Sequence, residues 1–291
     1  MPLIALDIGG TKIIAAAAAR DGTILRRARA ETPRPLQEGL DLVRRLIREM
    51  AAGEPIEAIG VSCGGPLDAE NGIVSPLHQP EWRQLPLAAI VQKEFACPFR
   101  VEVDVDAAVL AESRFGGRRS SRMLYLTLST GMGSGLLVDG KIYRGHGGAH
   151  PEVGHQAIPY RLHGQPGAEL IPCPCGATGC LEALISGTAI RKLYGKPAQE
   201  LLPLEWEEIG HNLGMGLRNL AAIYAPEVIL LGGGVATGGA SFFLATAERV
   251  MREGLRIVPV PRLEISTLGY DTALQGAIAL AQDLLPYDKN A

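Results

Sequence analysis

The sequence predicts an α/β protein, and three observations carry that prediction. Short apolar runs of strand length alternate with stretches of helical periodicity along the chain. Two of the runs break into glycine turns that bear hydroxyls, Gly9-Gly10-Thr11-Lys12 and Ser129-Thr130-Gly131-Met132-Gly133, and each leads into a second apolar run closed by Asp-Gly. Glycine is in excess, 36 of 291 residues, or about 12% against an average near 7%. Most of it is clustered, so specific loops are being built.

In chain order, Leu3–Ile8 reads as a buried strand, Ile13–Ala19 as its hairpin partner and Asp21-Gly22 as the following turn. An acid near the strand end and a glycine turn with Thr11 and Lys12 make a candidate phosphate hairpin. Backbone N–H groups approach an anion closely where no Cβ intervenes. An ordinary hairpin with a lone acid fits this stretch equally well, and the G-x-x-x-x-G-K-[ST] spacing is absent. Leu36, Leu40, Val43, Leu46, Ile47 and Met50 recur at helical spacing and predict a helix over 36–52. Ile56–Ser62 is a strand that ends in Cys63-Gly64-Gly65-Pro66, Asn71-Gly72 is a turn, and 85–96 is a helix. Phe99–Val103 is a short strand with Asp104 at its end and a helix over Val105–Arg114. An acid in that place serves as a general base, favoured as an anion by the helix dipole, or as a helix cap.

Gly116-Gly117 is the best candidate linker. Met123–Leu128 is a strand whose glycine turn and return strand, Leu136–Val138 with Asp139-Gly140, repeat the N-terminal design. Two such hairpins suggest two related halves closing on one phosphorylated ligand. Helices follow at 188–195 and 205–224. Val228–Leu231 is a strand ending in Gly232-Gly233-Gly234, before a helix at 241–253. That glycine run suits close approach of a nucleotide base or ribose, or a plain strand-to-helix turn. Leu263–Ser266 is the last strand and Thr272–Leu285 the last helix.

Between the second hairpin and the helices lies Glu152-Val-Gly-His155, followed by Cys173-Pro-Cys175-Gly-Ala-Thr-Gly-Cys180-Leu-Glu182. One His and three Cys at this spacing suit a closed tetrahedral zinc site. Glu152 and Glu182 bracket the ligands, which reads as a metal clamp fixing two carboxylates for substrate. A small structural zinc knob with bystander glutamates accounts for the same spacing. The two remaining cysteines, Cys63 and Cys97, bring the count to five. An odd number with metal-type spacing argues for a reducing compartment and against a disulfide framework.

Composition excludes several classes. A hydrophobic fraction of 47%, a charged fraction of 20% and a net charge of -3 are those of an ordinary globular protein. No basic stripe offers itself to nucleic acid; the densest patch, Arg114, Arg118, Arg119 and Arg122, reads as a solvated turn. The N-terminus lacks a basic n-region, and no stretch is long enough to span a bilayer. A soluble, cytoplasmic protein without a membrane or nucleic acid partner is expected.

Asp7-Ile-Gly-Gly-Thr-Lys12, Glu152-Val-Gly-His155, Cys173-x-Cys175-Gly-x-x-Gly-Cys180-x-Glu182 and Leu231-Gly-Gly-Gly234 occur here in the order of the ROK family of repressors and sugar kinases, which the chain resembles over essentially its whole length. The resemblance implies an actin-like, ribonuclease-H-like fold of two α/β domains with an interdomain cleft. The small domain would span 1–117, joined by the C-terminal helix 272–286, and the large one 118–271 with the zinc loop. It implies a hexose substrate, ATP, Mg2+ and structural Zn2+, and a homodimer. Asp104 would be the base, and Glu152, His155, Glu182 and Gly65 would contact the sugar. His155, Cys173, Cys175 and Cys180 would ligate zinc. Gly10, Thr11, Lys12, Thr130, Gly131 and Gly133 would surround the ATP phosphates, Asp7 would hold magnesium, and Gly233 and Gly234 would lie against adenosine.

The chain also departs from the pattern. Glucose-phosphorylating members carry Asn before the base and Asn two positions after it; here these are Val103 and Asp106. The loop Pro76-Leu-His-Gln-Pro-Glu-Trp82 lacks the usual Asn, with His78 or Gln79 as substitutes. His150-Pro151 looks like the fructose- and mannose-phosphorylating branch, and Cys-x-Cys-Gly like the glucose branch. A repressor is the second reading, opposed by a first strand that begins at Leu3 and leaves no room for a helix-turn-helix. A sugar-binding protein without catalysis is the third, motivated by Val103 and Asp106.

Overall fold

Each apolar hairpin seeds a five-stranded sheet. The computed structural model describes residues 1–118, 120–167 and 171–286; Arg119 of the basic patch lies outside them. The strands are β1 (Leu3–Ile8), β2 (Lys12–Ala18), β3 (Ile24–Glu31), β4 (Ala58–Cys63), β5 (Leu67–Asp68), β6 (Ile73–Val74), β7 (Phe99–Val103), β8 (Arg122–Leu128), β9 (Met132–Val138), β10 (Lys141–Ile142), β11 (Arg161–Leu162), β12 (Gln165–Pro166), β13 (Val228–Gly232) and β14 (Arg262–Ile265). The helices are α1 (Leu36–Ala51), α2 (Leu87–Phe95), α3 (Asp104–Phe115), α4 (Glu182–Ile185), α5 (Gly187–Tyr194), α6 (Pro203–Tyr224), α7 (Gly234–Glu253) and α8 (Thr272–Gln282).

The sheets are ordered β3-β2-β1-β4-β7 and β10-β9-β8-β13-β14. In both, an antiparallel meander is extended by two parallel strands. The repeat seen in the turns is therefore a repeat of whole sheets. The first unit comprises Met1–Arg118, Arg144–Ala149 and Tyr270–Ala291; the second comprises Arg119–Tyr143 and His150–Gly269. The excursion Arg144–Ala149 thus belongs with the first unit, although it falls inside the span 118–271 expected for the second domain.

In the first unit, Leu40, Val43, Leu46 and Ile47 of α1 pack on Ile4, Leu6, Ile59 and Val61. The opposite face, with Leu3, Ala5, Ala16 and Ala18, meets Leu274, Ala277, Ile278 and Ala281 of α8. That approach needs glycine: a Cβ at Gly60 would lie 2.0 Å from the Ala277 carbonyl oxygen. In the second unit, Leu213 and Leu217 of α6 and Phe243 and Ala247 of α7 share a core with Leu124, Leu126, Ile229 and Leu231.

One strand was not foreseen and two local readings are corrected. The strand Ile24–Glu31 has no continuous apolar signal because its exposed face carries arginines; its burial alternates, as an edge strand requires. The helix expected at 241–253 begins at Gly234. Its glycine-rich first turns have low helix propensity, but Gly239 lets the Trp206 indole in where a Cβ would lie 2.3 Å from the ring, so packing overrides propensity. Asp104 is not the helix cap: it is the first residue of α3, and Val103 occupies the cap position with no side-chain bond. Among the described residues no helix is long and apolar enough to cross a membrane.

Candidate active site

In the first unit, Asp7 sits on β1 beside Ser62 of β4, whose hydroxyl donates to Asp7 Oδ1 at 3.3 Å. Burial pushes the Asp7 carboxyl up to about 6 and the charge of Asp104 adds to the rise, while the Ser62 bond and Lys12 oppose it. The Cys63 thiol is driven up to about 12 by burial, then by Asp104 and Asp7. It stays a neutral wall of the site. Asp104, Asp7 and Cys63 all lie at the ends of neighbouring strands β7, β1 and β4. The Asp104 carboxylate is exposed, and its Oδ1 accepts from the Val105 N–H at 2.8 Å. Gly65 packs on Val103, with its Cβ position 3.7 Å from Val103 Cγ1.

The turn after β1 is held by two hydrogen bonds at Gly9. Gly9 N–H donates to Lys12 O at 3.0 Å and Thr32 Oγ1 donates to Gly9 O at 2.7 Å. Among the described residues no hydrogen bond takes the N–H of Gly10 or Thr11. Gly10 is required sterically: a Cβ there would lie 2.7 Å from His78 Cβ. His78 therefore packs on the turn. Its neighbour Gln79 is buried, and its amide Nε2 and Oε1 have no hydrogen-bond partner among the described residues.

The second unit repeats the turn. Ser129 N–H donates to Gly131 O at 2.9 Å, and Ser129 O and Thr130 O accept from Gly187 and Thr188. The N–H groups of Thr130 and Gly131 are again unused among the described residues. Gly133 lies one step into β9, paired with Thr127. Glu182, the first residue of α4, reaches this turn: its Oε2 accepts from the Met132 N–H at 2.8 Å. Gly154 packs against Met132 and Glu182 Cβ, so the Glu152–His155 segment abuts the same turn. Glu152 is exposed, with Oε1 3.2 Å from His150 Nε2. Gly233 follows β13 at φ +85, and a Cβ there would lie 2.4 Å from Leu128 O. Glycine is demanded twice over at that position. Gly234 opens α7 and is exposed.

The four predicted metal ligands converge. One donor atom each from His155, Cys173, Cys175 and Cys180 lies within 4.8 Å of the others. Cys175 Sγ and Cys180 Sγ are 3.8 Å apart, and Cys173 Sγ and His155 Nδ1 are 3.6 Å apart. A zinc tetrahedron with bonds of about 2.3 Å to sulfur has S–S edges of about 3.8 Å. The two measured edges fit that polyhedron. Nδ1 faces the thiols, which leaves Nε2 for another partner.

One residue that contacts the chain on either side of Asp104 has no sequence signal. Arg144 donates from Nη1 to Asp106 Oδ2 at 2.5 Å and from Nη2 to Glu102 Oε2. Glu102 Oε1 accepts from Arg100 at 2.9 Å. Burial pushes the Asp106 carboxyl up to about 8, with the Asp104 charge adding and Arg100 opposing. The Arg144 fork also opposes the rise, because a guanidinium at 2.5 Å favours the carboxylate. Asp106 is thus committed to an arginine, which explains its departure from the expected Asn.

The family model described as the ROK family matches residues 3–284. A fructokinase of Zymomonas mobilis is 33% identical over 243 residues, covering 79% of this chain and 78% of its own length. The crystal structure of a ROK hexokinase from Thermus thermophilus superposes with a TM-score of 0.83 at 30% identity, covering 97% of this chain and 98% of the other. A ROK family glucokinase from Streptomyces griseus, in complex with glucose and AMPPNP, superposes at 0.76 with 26% identity, covering 97% and 100%.

Proposed function

The chain belongs to the ROK family and is an ATP-dependent sugar kinase, and on that premise we propose that it phosphorylates a hexose hydroxyl with Asp104 as general base. The observation that carries this reading is the pair of like turns, Gly9–Lys12 and Ser129–Gly131, each with two backbone N–H groups that no protein acceptor uses among the described residues. Such donors suit the charge that spreads over the phosphoryl oxygens during transfer.

A sugar hydroxyl is a poor nucleophile and needs a carboxylate within hydrogen-bond reach. Asp104 takes its proton as the hydroxyl oxygen bonds to the γ-phosphorus. The bond from that phosphorus to the bridging oxygen breaks, ADP leaves, and the proton passes from Asp104 to solvent. Glu152, Glu182, Gly65 and His155 Nε2 hold the sugar. Gly10, Thr11, Lys12, Thr130, Gly131 and Gly133 surround the phosphates, and Gly233 and Gly234 admit the adenosine.

Asp7 suits magnesium held through water: it is a largely buried carboxylate whose own ionisation is resisted by its surroundings, a condition that a cation relieves. Bound magnesium supplies charge neutralisation on the phosphates. The His155, Cys173, Cys175 and Cys180 set suits zinc with no open position, so its contribution is to fix His155 and the two segments that carry Glu152 and Glu182. We also read the enzyme as a homodimer.

An ADP-release assay against glucose, fructose, mannose and their N-acetylated relatives tests the reading. Turnover of at least one hexose is expected; saturable sugar binding with no ADP release from any of them would make this a sugar-binding protein instead. Val103 cannot hydrogen-bond a hydroxyl, and the presence or loss of a single polar partner in a sugar site changes specificity by orders of magnitude. The profile is therefore expected to differ from that of a site with Asn at this position, with discrimination at the hydroxyl nearest Val103 weakened.

A further inference from the structure

The junction between β7 and α3 contains no loop. Val103 is the last strand residue and Asp104 the first helical one, and the cap residue Val103 makes no side-chain bond. Packing on α8, where Gly276 lies against Ala107 of α3, sets the course of the helix body, and the first turn, without a cap bond, is left to be fixed by what grips its side chains. Arg144 meets that requirement. Its guanidinium grips Glu102 on the strand and Asp106 in the first helical turn, two residues on either side of Asp104. Both carboxylates are buried, with side-chain exposures of 3% and 0%, against 25% for Arg144. Arg100 also holds Glu102, but among the described residues no other cation forms an ion pair with Asp106.

We propose that Arg144 is the residue that positions the general base: by clamping Glu102 and Asp106 it fixes the departure of α3 from β7 and hence the direction of the Asp104 carboxylate. The inference rests on Asp104 being the base. It also gives the Arg144–Ala149 excursion a purpose, since this short piece of chain joins the first unit and delivers the clamp. Lysine would keep the charge but not the planar fork, so it can serve one carboxylate and not both.

The test is a double-mutant cycle in kcat between Arg144→Lys and Asp104→Asn, with KM values for sugar and ATP and the melting temperature measured alongside. In the wild-type background Arg144→Lys is expected to lower kcat by about tenfold or more with both KM values within about threefold. In the Asp104→Asn background, followed by single turnover, it should cost less than about twofold, because a positioning residue has nothing left to position. Equal losses in both backgrounds would overturn the inference, as would a wild-type kcat in Arg144→Lys.

A second variant separates aim from stability. Glu102→Gln, Asp106→Asn and Arg144→Met together leave no buried charge unpaired, so folding should be close to wild type while kcat stays low. A triple variant with wild-type kcat would reduce the fork to a structural ion pair. Absence of turnover by the wild-type protein with every sugar would remove the kinase reading itself, a result distinct from any outcome of the cycle.

Discussion

At the scale of the residue, the site depends on how three strand ends distribute charge. Burial raises the cost of ionising Asp7 most, and the charge of Asp104 adds to it. Asp104→Asn keeps shape and removes the base, so kcat should fall by about 10²–10⁴-fold while sugar affinity, followed by tryptophan fluorescence or calorimetry, stays within a few-fold. Near-wild-type turnover would clear Asp104 of the role. Asp7 has a pH signature of its own. Its folded pKa, about 6, lies above the reference 3.8, so the native state binds more protons between those values than the unfolded chain does. Stability from this group is present below about pH 4 and is lost as pH rises through about 6. Ionised Asp7 then costs up to about 3 kcal/mol. In chelator, Asp7→Asn should melt close to wild type at about pH 4 and several degrees above it at about pH 7. A gain that did not grow with pH would refute the assignment. Of these residues Asp7 and Asp104 were legible because an acid at a strand end is a local pattern. Arg144 was not, since its partners are 42 and 38 positions away and only the fold brings them together.

At the scale of the element, the cysteine-rich loop was readable as a candidate metal site because metal ligands must obey a spacing, and the cluster of His155 with three cysteines has distances compatible with a zinc tetrahedron. Among the described residues the Cys173–Cys180 turn has only a small apolar cluster of its own, Cys173, Cys180 and Ala183 with Ile171 packed on it. Cys175→Ser should therefore remove most of the metal, read by elemental analysis, and lower the melting temperature by about 5 °C or more, because ligand binding here is also folding energy. Unchanged metal content would exclude Cys175 as a ligand. Helices with apolar periodicity, α1 and α6, stand close to where their sequence puts them. The elements that escaped were those whose reason is tertiary. β3 hides behind its arginines, and the start of α7 hides behind glycines that exist to admit the Trp206 ring and to pass Leu128 O.

At the scale of the whole molecule, the repeat of turn chemistry was the visible trace of a repeat of sheets, β3-β2-β1-β4-β7 against β10-β9-β8-β13-β14. Glycine turns could be matched by eye; strand order could not, because pairing between distant segments leaves no mark in periodicity. The chain also passes between the two units more than once, at Arg118, Tyr143, Ala149 and Gly269, so neither unit is a continuous stretch that could be excised and expressed alone. The feature with the widest consequence is α8. It brings Leu274, Ala277, Ile278 and Ala281 to the face of the first sheet that carries Leu3 and Ala5. On a ribosome, Leu3 and Ala5 are made long before α8 and must wait for it. The sheet of the first unit is synthesised before the helix that covers it, and a premature stop just past Gly269 would strand it with a greasy underside for chaperones to find.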